Sequence, residues 1–119
     1  MIGVILTALV ALIHFYIVYL EMVLWDQPQG RKAFGTTAEF ASASKVLAAN
    51  QGLYNGFLAV GLALGVWRGI DTAGFALVTY LLACVIAAGL YGAMTVGRKI
   101  LFIQALPAGL ALAAVLAGV

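Results

Sequence analysis

Four apolar stretches divide the chain, and only short polar segments separate them. The stretches cover approximately residues 2–25, 46–67, 73–96 and 100–118. A helix of about 20 apolar residues is long enough to span a bilayer. The pattern predicts an all-α fold, a four-helix transmembrane bundle that forms a single integral membrane domain over residues 1–119.

Polar side chains interrupt this pattern at a few positions of similar predicted depth. At about 100° per residue, one narrow stripe of the first helix carries all of its ionisable side chains. Polar groups are expensive in hydrocarbon, so a cluster of them indicates a functional site. The predicted ligand-binding residues are His14, Glu21, Asn50, Gln51, Tyr54, Asn55, Tyr91 and Gln104.

Each of these residues could also have a purely structural role, and the sequence leaves both the functional and the structural interpretation open. Glu21 lies near a helix end and could extend to the interface or pair with a basic loop residue. The amides of Asn50, Gln51 and Asn55 could bridge helices, at about 0.6–2 kcal/mol for each contact. His14 could donate to a backbone carbonyl in the interior.

Composition excludes several classes of protein. The chain is 66% hydrophobic and 8% charged, with a mean hydropathy of +1.15. Almost no sequence remains for a soluble catalytic domain, and no basic surface suggests nucleic acid as a partner. The predicted partner is the lipid bilayer, and the predicted location is the cell membrane, as a multi-pass protein of the inner membrane if the source is bacterial. Cys84 is the one cysteine, so no intrachain disulfide is expected.

Loop charges predict the orientation of the bundle. The first and third loops carry Arg31, Lys32, Lys45, Arg98 and Lys99, whereas the second carries only Arg68. Short loops rich in lysine and arginine stay in the cytoplasm. Both termini are therefore predicted to lie outside, with the longer first loop and the mouth of the polar site on the cytoplasmic side.

The first loop has its own local signals. Asp26 to Gly30 breaks the first helix at Pro28, and Thr36 with Glu39 has the spacing of a capping box. The second helix is thus predicted to start near Thr36 and to project beyond the bilayer. The segment with Phe34 and Phe40 then lies over the site as a lid or, equally, as an interfacial segment.

Other site chemistries lack the residues that they require. His14 and Glu21 are about 10 Å apart along a helix, and the chain has no second histidine and no cysteine pair. No metal or other cofactor is therefore predicted. The sequence also lacks a GxSxG nucleophile elbow, a P-loop and a dinucleotide fingerprint. Gly52 and Gly56 form a small-residue seam through which a homodimer could pack.

Several segments carry a resemblance to a known family. The segments are His14-Phe15-Tyr16-Ile17, Leu20 to Trp25, Phe34-Gly35, Asn50 to Leu58, Tyr91 to Thr95 and Gln104 to Ala108. With these the chain resembles family 1304 of the domains of unknown function, small four-span membrane proteins. The resemblance implies the fold and the membrane location, and it supplies no activity.

Three functions remain open. The preferred hypothesis is a receptor or carrier for a small, largely apolar or amphipathic molecule that carries one or two polar groups. An alternative is an intramembrane isomerase or hydrolase that uses Glu21 and His14 as acid and base. A third is a transporter similar to small multidrug exporters, although the loop charges oppose the dual topology of those proteins. Whether the chain is an enzyme is left open, and no catalytic residue is assigned.

Overall fold

The computed structural model describes residues 1–119, and all of its regular elements are helices. This confirms the predicted all-α fold. The helices are α1 (Ile2–Met22), α2 (Pro28–Phe34), α3 (Ala38–Arg68), α4 (Phe75–Thr95) and α5 (Leu106–Ala117). Two π-helical segments, Gly69–Ala73 and Leu101–Ala105, precede α4 and α5.

Three of these helical stretches are long and apolar enough to cross a membrane. They are Ile2–Met22, Ala38–Ala73 and Phe75–Thr95. The last apolar helix, Leu101–Ala117, is shorter. The apolar helices of the predicted bundle are therefore present, and the fourth crossing stays a prediction.

The first loop is largely helical, which differs from the predicted break and long loop. Pro28 begins α2 because the first turn of a helix has no partner for the N–H that proline lacks. Gly35 ends α2 in the left-handed conformation, with φ of 65°. The N–H of Thr36 still bonds to the carbonyl of Arg31 at 3.0 Å, so Thr36 belongs to the end of α2.

The cap of α3 is therefore Thr37, one residue after the predicted Thr36. The Phe40 N–H donates to Thr37 Oγ1 at 3.1 Å. A threonine in this position satisfies one of the free N–H groups of the first turn. The predicted start of the second helix is confirmed to within two residues. The predicted capping box of Thr36 and Glu39 is wrong, because the residue three positions after Thr37 is Phe40, which has no polar group to complete a box.

The chain divides into two compact units, residues 14–57 and residues 1–13 with 58–119. The larger unit has an apolar core in which α4 supplies Val78, Leu82 and Val85, all fully buried. Alanines of α5, Ala108 and Ala111, pack into the same core with no exposed surface. Small residues on α5 let the helix approach the branched side chains of α4 closely, which is how packing is achieved between apolar helices in lipid.

In the unit of residues 14–57, Gly52 sets the distance between α1 and α3. A Cβ atom at position 52 would lie 2.6 Å from Met22 Cγ and 3.0 Å from Glu21 Cβ. At Gly56, one turn further along α3, it would meet Val18 Cγ2 at 3.7 Å. The predicted glycine seam thus packs against α1 of the same chain. The homodimer stays a prediction, and its contact surface would have to be another face.

Candidate functional site

The centre of the site is the carboxyl group of Glu21, near the end of α1. The side chain is buried, with 1% of its surface exposed. Both of its oxygens accept hydrogen bonds from amides of α3. Gln51 Nε2 donates to Oε2 at 2.6 Å, and Asn55 Nδ2 donates to Oε1 at 2.5 Å. Two amide donors on one carboxyl form a built polar site rather than a single chance contact.

The sequence of α3 explains this arrangement. Gln51 and Asn55 are four residues apart, so both lie on one face of the helix. Gly52 lies beside them and lets the α1 backbone come close enough for Glu21 to reach both amides. A larger residue at position 52 would push Glu21 away from its two donors. We call Glu21, Gln51 and Asn55 the carboxyl–amide site.

His14 lies on the same stripe of α1 as Glu21. Its side chain is 1% exposed, and Thr7, a further seven residues back, is fully buried. Seven residues make nearly two full turns, so the three polar side chains repeat on one face of α1. The predicted polar stripe is confirmed, and these three are the buried polar residues of the chain. Thr7 was part of that stripe but was not assigned to the site.

Asn50 and Tyr54 lie apart from the carboxyl–amide site. Asn50 is exposed, and 61% of Tyr54 is exposed, with its ring packed edge-on against Phe57 at 5.6 Å between ring centres. Each precedes a residue of the site by one position, which turns it about 100° around the helix. Gln51 is itself exposed, so what separates the predicted polar cluster of α3 is bonding: Gln51 and Asn55 donate to Glu21, and Asn50 and Tyr54 form the other pair.

Tyr91 and Gln104, the two remaining predicted site residues, belong to the other compact unit. In that unit 70% of Tyr91 is exposed, and Gln104 is half-buried. Their predicted part in ligand binding stays a prediction.

The segment that follows Glu21 is fixed to the start of α3. Trp25 Nε1 donates to Ser44 Oγ at 3.0 Å, and its ring packs on Phe34 with 4.8 Å between ring centres. Asp26 Oδ2 forms an ion pair with Lys45 Nζ at 3.0 Å. These contacts fix the segment to the start of α3, and its interpretation as a lid or as an interfacial segment stays a prediction. Ser44 was not predicted from the sequence, where a single serine in a helix carries no distinguishing signal.

The ion pair has a direct effect on protonation outside the apolar spans. The hydrogen bond from the Lys45 ammonium lowers the pKa of the Asp26 carboxyl below its ordinary value. Because the lowered pKa belongs to the folded state, the pair stabilises that state above the ordinary pKa of aspartate. The contribution is lost as the pH falls through the lowered value.

The donor set of the site does not form a metal centre. No group of three or more histidine, cysteine, aspartate or glutamate side chains lies close enough together to hold an ion. The carboxyl–amide site offers one carboxyl and two amide groups, which suit hydrogen bonding to an organic molecule.

Comparison with known proteins places the chain in a family. A family model described as a protein of unknown function, DUF1304, matches residues 8–116. The chain belongs to the DUF1304 family. It is also 36% identical over 103 residues to an uncharacterised protein, YpaA, of Lactococcus lactis subsp. lactis (strain IL1403), and the match covers 85% of each chain. No solved structure matches the chain. The resemblance found in the sequence is confirmed, and the function has to be inferred from the site.

Proposed function

We propose that this protein binds a small, largely apolar molecule at Glu21, as a receptor or carrier in the membrane. The ligand carries a polar group that donates a hydrogen bond to the carboxyl or bears a positive charge. The observation that carries the proposal is the burial of the Glu21 carboxyl between two amide donors, on a helix apolar enough to cross a membrane.

The chemistry of the carboxyl group indicates what the ligand supplies. An ionised carboxylate offers about four acceptor positions, and the two amides use two of them. Lys45, one of the basic residues that could have paired with Glu21, forms an ion pair with Asp26 instead. A buried carboxylate without a cation is unfavourable in an apolar environment, so a ligand hydroxyl, amine or ammonium would stabilise it.

The spacing along α1 favours binding over catalysis. An isomerase or hydrolase of the predicted type needs an acid and a base that act on the same part of the substrate. The amides of Gln51 and Asn55 hold the Glu21 carboxyl in place, and His14 lies seven residues, or about 10 Å of helix, away from it. We therefore propose a positioning role for Glu21 and keep the isomerase or hydrolase as an outcome of the test.

The experiment is mass spectrometry of the small molecules that co-purify with the protein from mild detergent. Wild type is compared with Glu21→Gln, which keeps the shape of the side chain and removes its charge. Asp71→Asn is the matched control, because it makes the same chemical change at an exposed residue of the other unit. We expect one discrete species with wild type and with the control, and at least a tenfold loss with Glu21→Gln at an unchanged melting temperature.

Two results would contradict the binding proposal. Equal amounts of the species in all three proteins would remove Glu21 from the site, and failure of Glu21→Gln to fold would assign it a structural role. A covalently changed product that accumulates with time in wild type alone would favour the enzyme instead.

We also propose that both termini lie outside the cytoplasm, on the basis of the loop charges. Single cysteines at Ile2 and at Gly97, in a Cys84→Ala background, test this orientation. Both positions tolerate a side chain, since 55% of Ile2 is exposed and the space around Gly97 is open. An impermeant maleimide applied to intact cells should label position 2 and leave position 97 unlabelled. The reverse pattern would move the site to the outer side.

A further inference from the structure

The unit of residues 1–13 and 58–119 has an apolar groove on the side of α4 that faces the π-helical segment Leu101–Ala105. It is an open groove of about 320 Å³. All of its lining side chains are apolar: Ile86, Leu90, Leu101, Phe102, Ala105 and Leu106. None of these residues belongs to the carboxyl–amide site.

Backbone contacts hold the two walls of the groove together. A Cβ atom at Gly89 would lie 2.6 Å from the backbone nitrogen of Ala105, so the two elements touch directly at this point. The π-helical turn Leu101–Ala105 comes just before Pro107, whose ring would clash with the carbonyl four residues earlier in a regular α-helix. The groove is therefore a fixed consequence of the local fold.

Positive charge lies at one end of the groove. Arg98 and Lys99 are exposed on the turn that leads directly into Leu101. The acidic residue of this unit, Asp71, precedes the opposite end of α4, about 30 Å away along a helix of 21 residues. An apolar groove with two cationic side chains at one end is complementary to an acyl chain joined to a negatively charged headgroup.

We propose that this groove binds an acyl chain of an anionic phospholipid and that Arg98 and Lys99 bind its phosphate. Charge complementarity favours the lipid over a second copy of the chain. Two copies in the same orientation would pair symmetrically through this face. Their Arg98–Lys99 turns would then meet at the same end and repel each other.

The experiment is native mass spectrometry of the detergent-solubilised chain with equal amounts of dioleoyl phosphatidylglycerol and dioleoyl phosphatidylcholine. Two variants test the two parts of the site. Arg98→Gln combined with Lys99→Gln removes the charge, and Leu90→Trp fills the groove from a side chain that is 48% exposed. The matched controls are Arg68→Gln, an exposed arginine, and Leu110→Trp, a leucine outside the groove that is 54% exposed.

We expect wild type and both controls to retain phosphatidylglycerol in preference to phosphatidylcholine. In the charge variant, the ratio of retained phosphatidylglycerol to retained phosphatidylcholine should fall about fivefold for each basic residue removed. Leu90→Trp should lower retention of both lipids, and Leu106→Trp, on the other wall, repeats the test if Leu90→Trp does not fold. Glu21→Gln should change none of these values.

Three results would overturn the proposal. One is equal retention of the two lipids by wild type, and another is equal behaviour of the variants and their controls. The third is a dimer in wild type that Leu90→Trp converts to a monomer, because the groove would then hold a second copy of the chain.

Discussion

Gly52→Val is expected to lower the free energy of unfolding by about 3 kcal/mol or more and to abolish ligand binding. The valine Cβ would lie 2.6 Å from Met22 Cγ and 3.0 Å from Glu21 Cβ, and its two methyl groups need further space. Overpacking of this kind costs about 1–3 kcal/mol. Because α1 must move away from α3, Glu21 also loses its two amide donors, and each lost hydrogen bond costs about 0.5–1.5 kcal/mol.

The measurement is unfolding in one detergent, followed by tryptophan fluorescence in a Trp67→Phe background that leaves Trp25 as the probe, together with the co-purification assay. Gly109→Val is the matched control, because it makes the same change inside α5, where nothing lies within 4 Å of the added Cβ. It should change stability by no more than about 0.5 kcal/mol. If Gly52→Val were as stable as this control, α1 and α3 would not meet at Gly52 and the carboxyl–amide site would have to be abandoned.

Gly74→Ala is expected to lower the free energy of unfolding by about 3 kcal/mol, through a single methyl group. Gly74 lies at the start of α4, and a Cβ atom there would collide with the carbonyl oxygen of Gly65 on α3. It would also come within 2.9 Å of the Gly69 carbonyl oxygen. Backbone atoms at a helix end cannot change rotamer, so the turn between α3 and α4 must open to make room.

Two further variants separate this mechanism from a general intolerance of alanine. Gly65→Ala places its Cβ against Val78 Cγ2, a side-chain atom that can shift, so it should be milder than Gly74→Ala. Gly97→Ala, with open space around it, should leave stability unchanged. Equal thermal unfolding of Gly74→Ala and Gly97→Ala would show that α3 and α4 are further apart than the structure places them.

The two proposed sites would bind their ligands in different ways. The carboxyl–amide site would bind a ligand through Glu21, whose polar partners all come from α3 of the same unit. The groove beside α4 would bind lipid through surface shape and the charges of Arg98 and Lys99. Because no residue is shared, each proposal can fail without affecting the other.

Much of the fold could be predicted from the pattern of apolar residues. Long apolar runs require helices, because a backbone in lipid must satisfy its hydrogen bonds within the segment. The stripe with His14 and Glu21 was also predictable, since charged and polar side chains avoid lipid and mark the inner face of α1. The family resemblance rested on the same segments.

The local start of α3 was less predictable. Thr36 and Thr37 are both suitable caps, and sequence spacing favoured Thr36 because Glu39 follows three residues later. The structure uses Thr37, since Thr36 is still hydrogen-bonded to the end of α2. The capping signal alone favoured Thr36. Because Thr36 belongs to the end of the short helix α2, the next residue, Thr37, caps α3 instead.

The sequence by itself determined the helical class, the apolar spans and the polar stripe of α1. Only the tertiary structure decided which polar residues of α3 meet Glu21, joining Gln51 and Asn55 to it and leaving Asn50 and Tyr54 outside. The physical reason is that the four polar residues of α3 lie within six positions and spread over a broad arc of the helix, so periodicity does not say which of them face α1. Close packing at Gly52 makes that distinction.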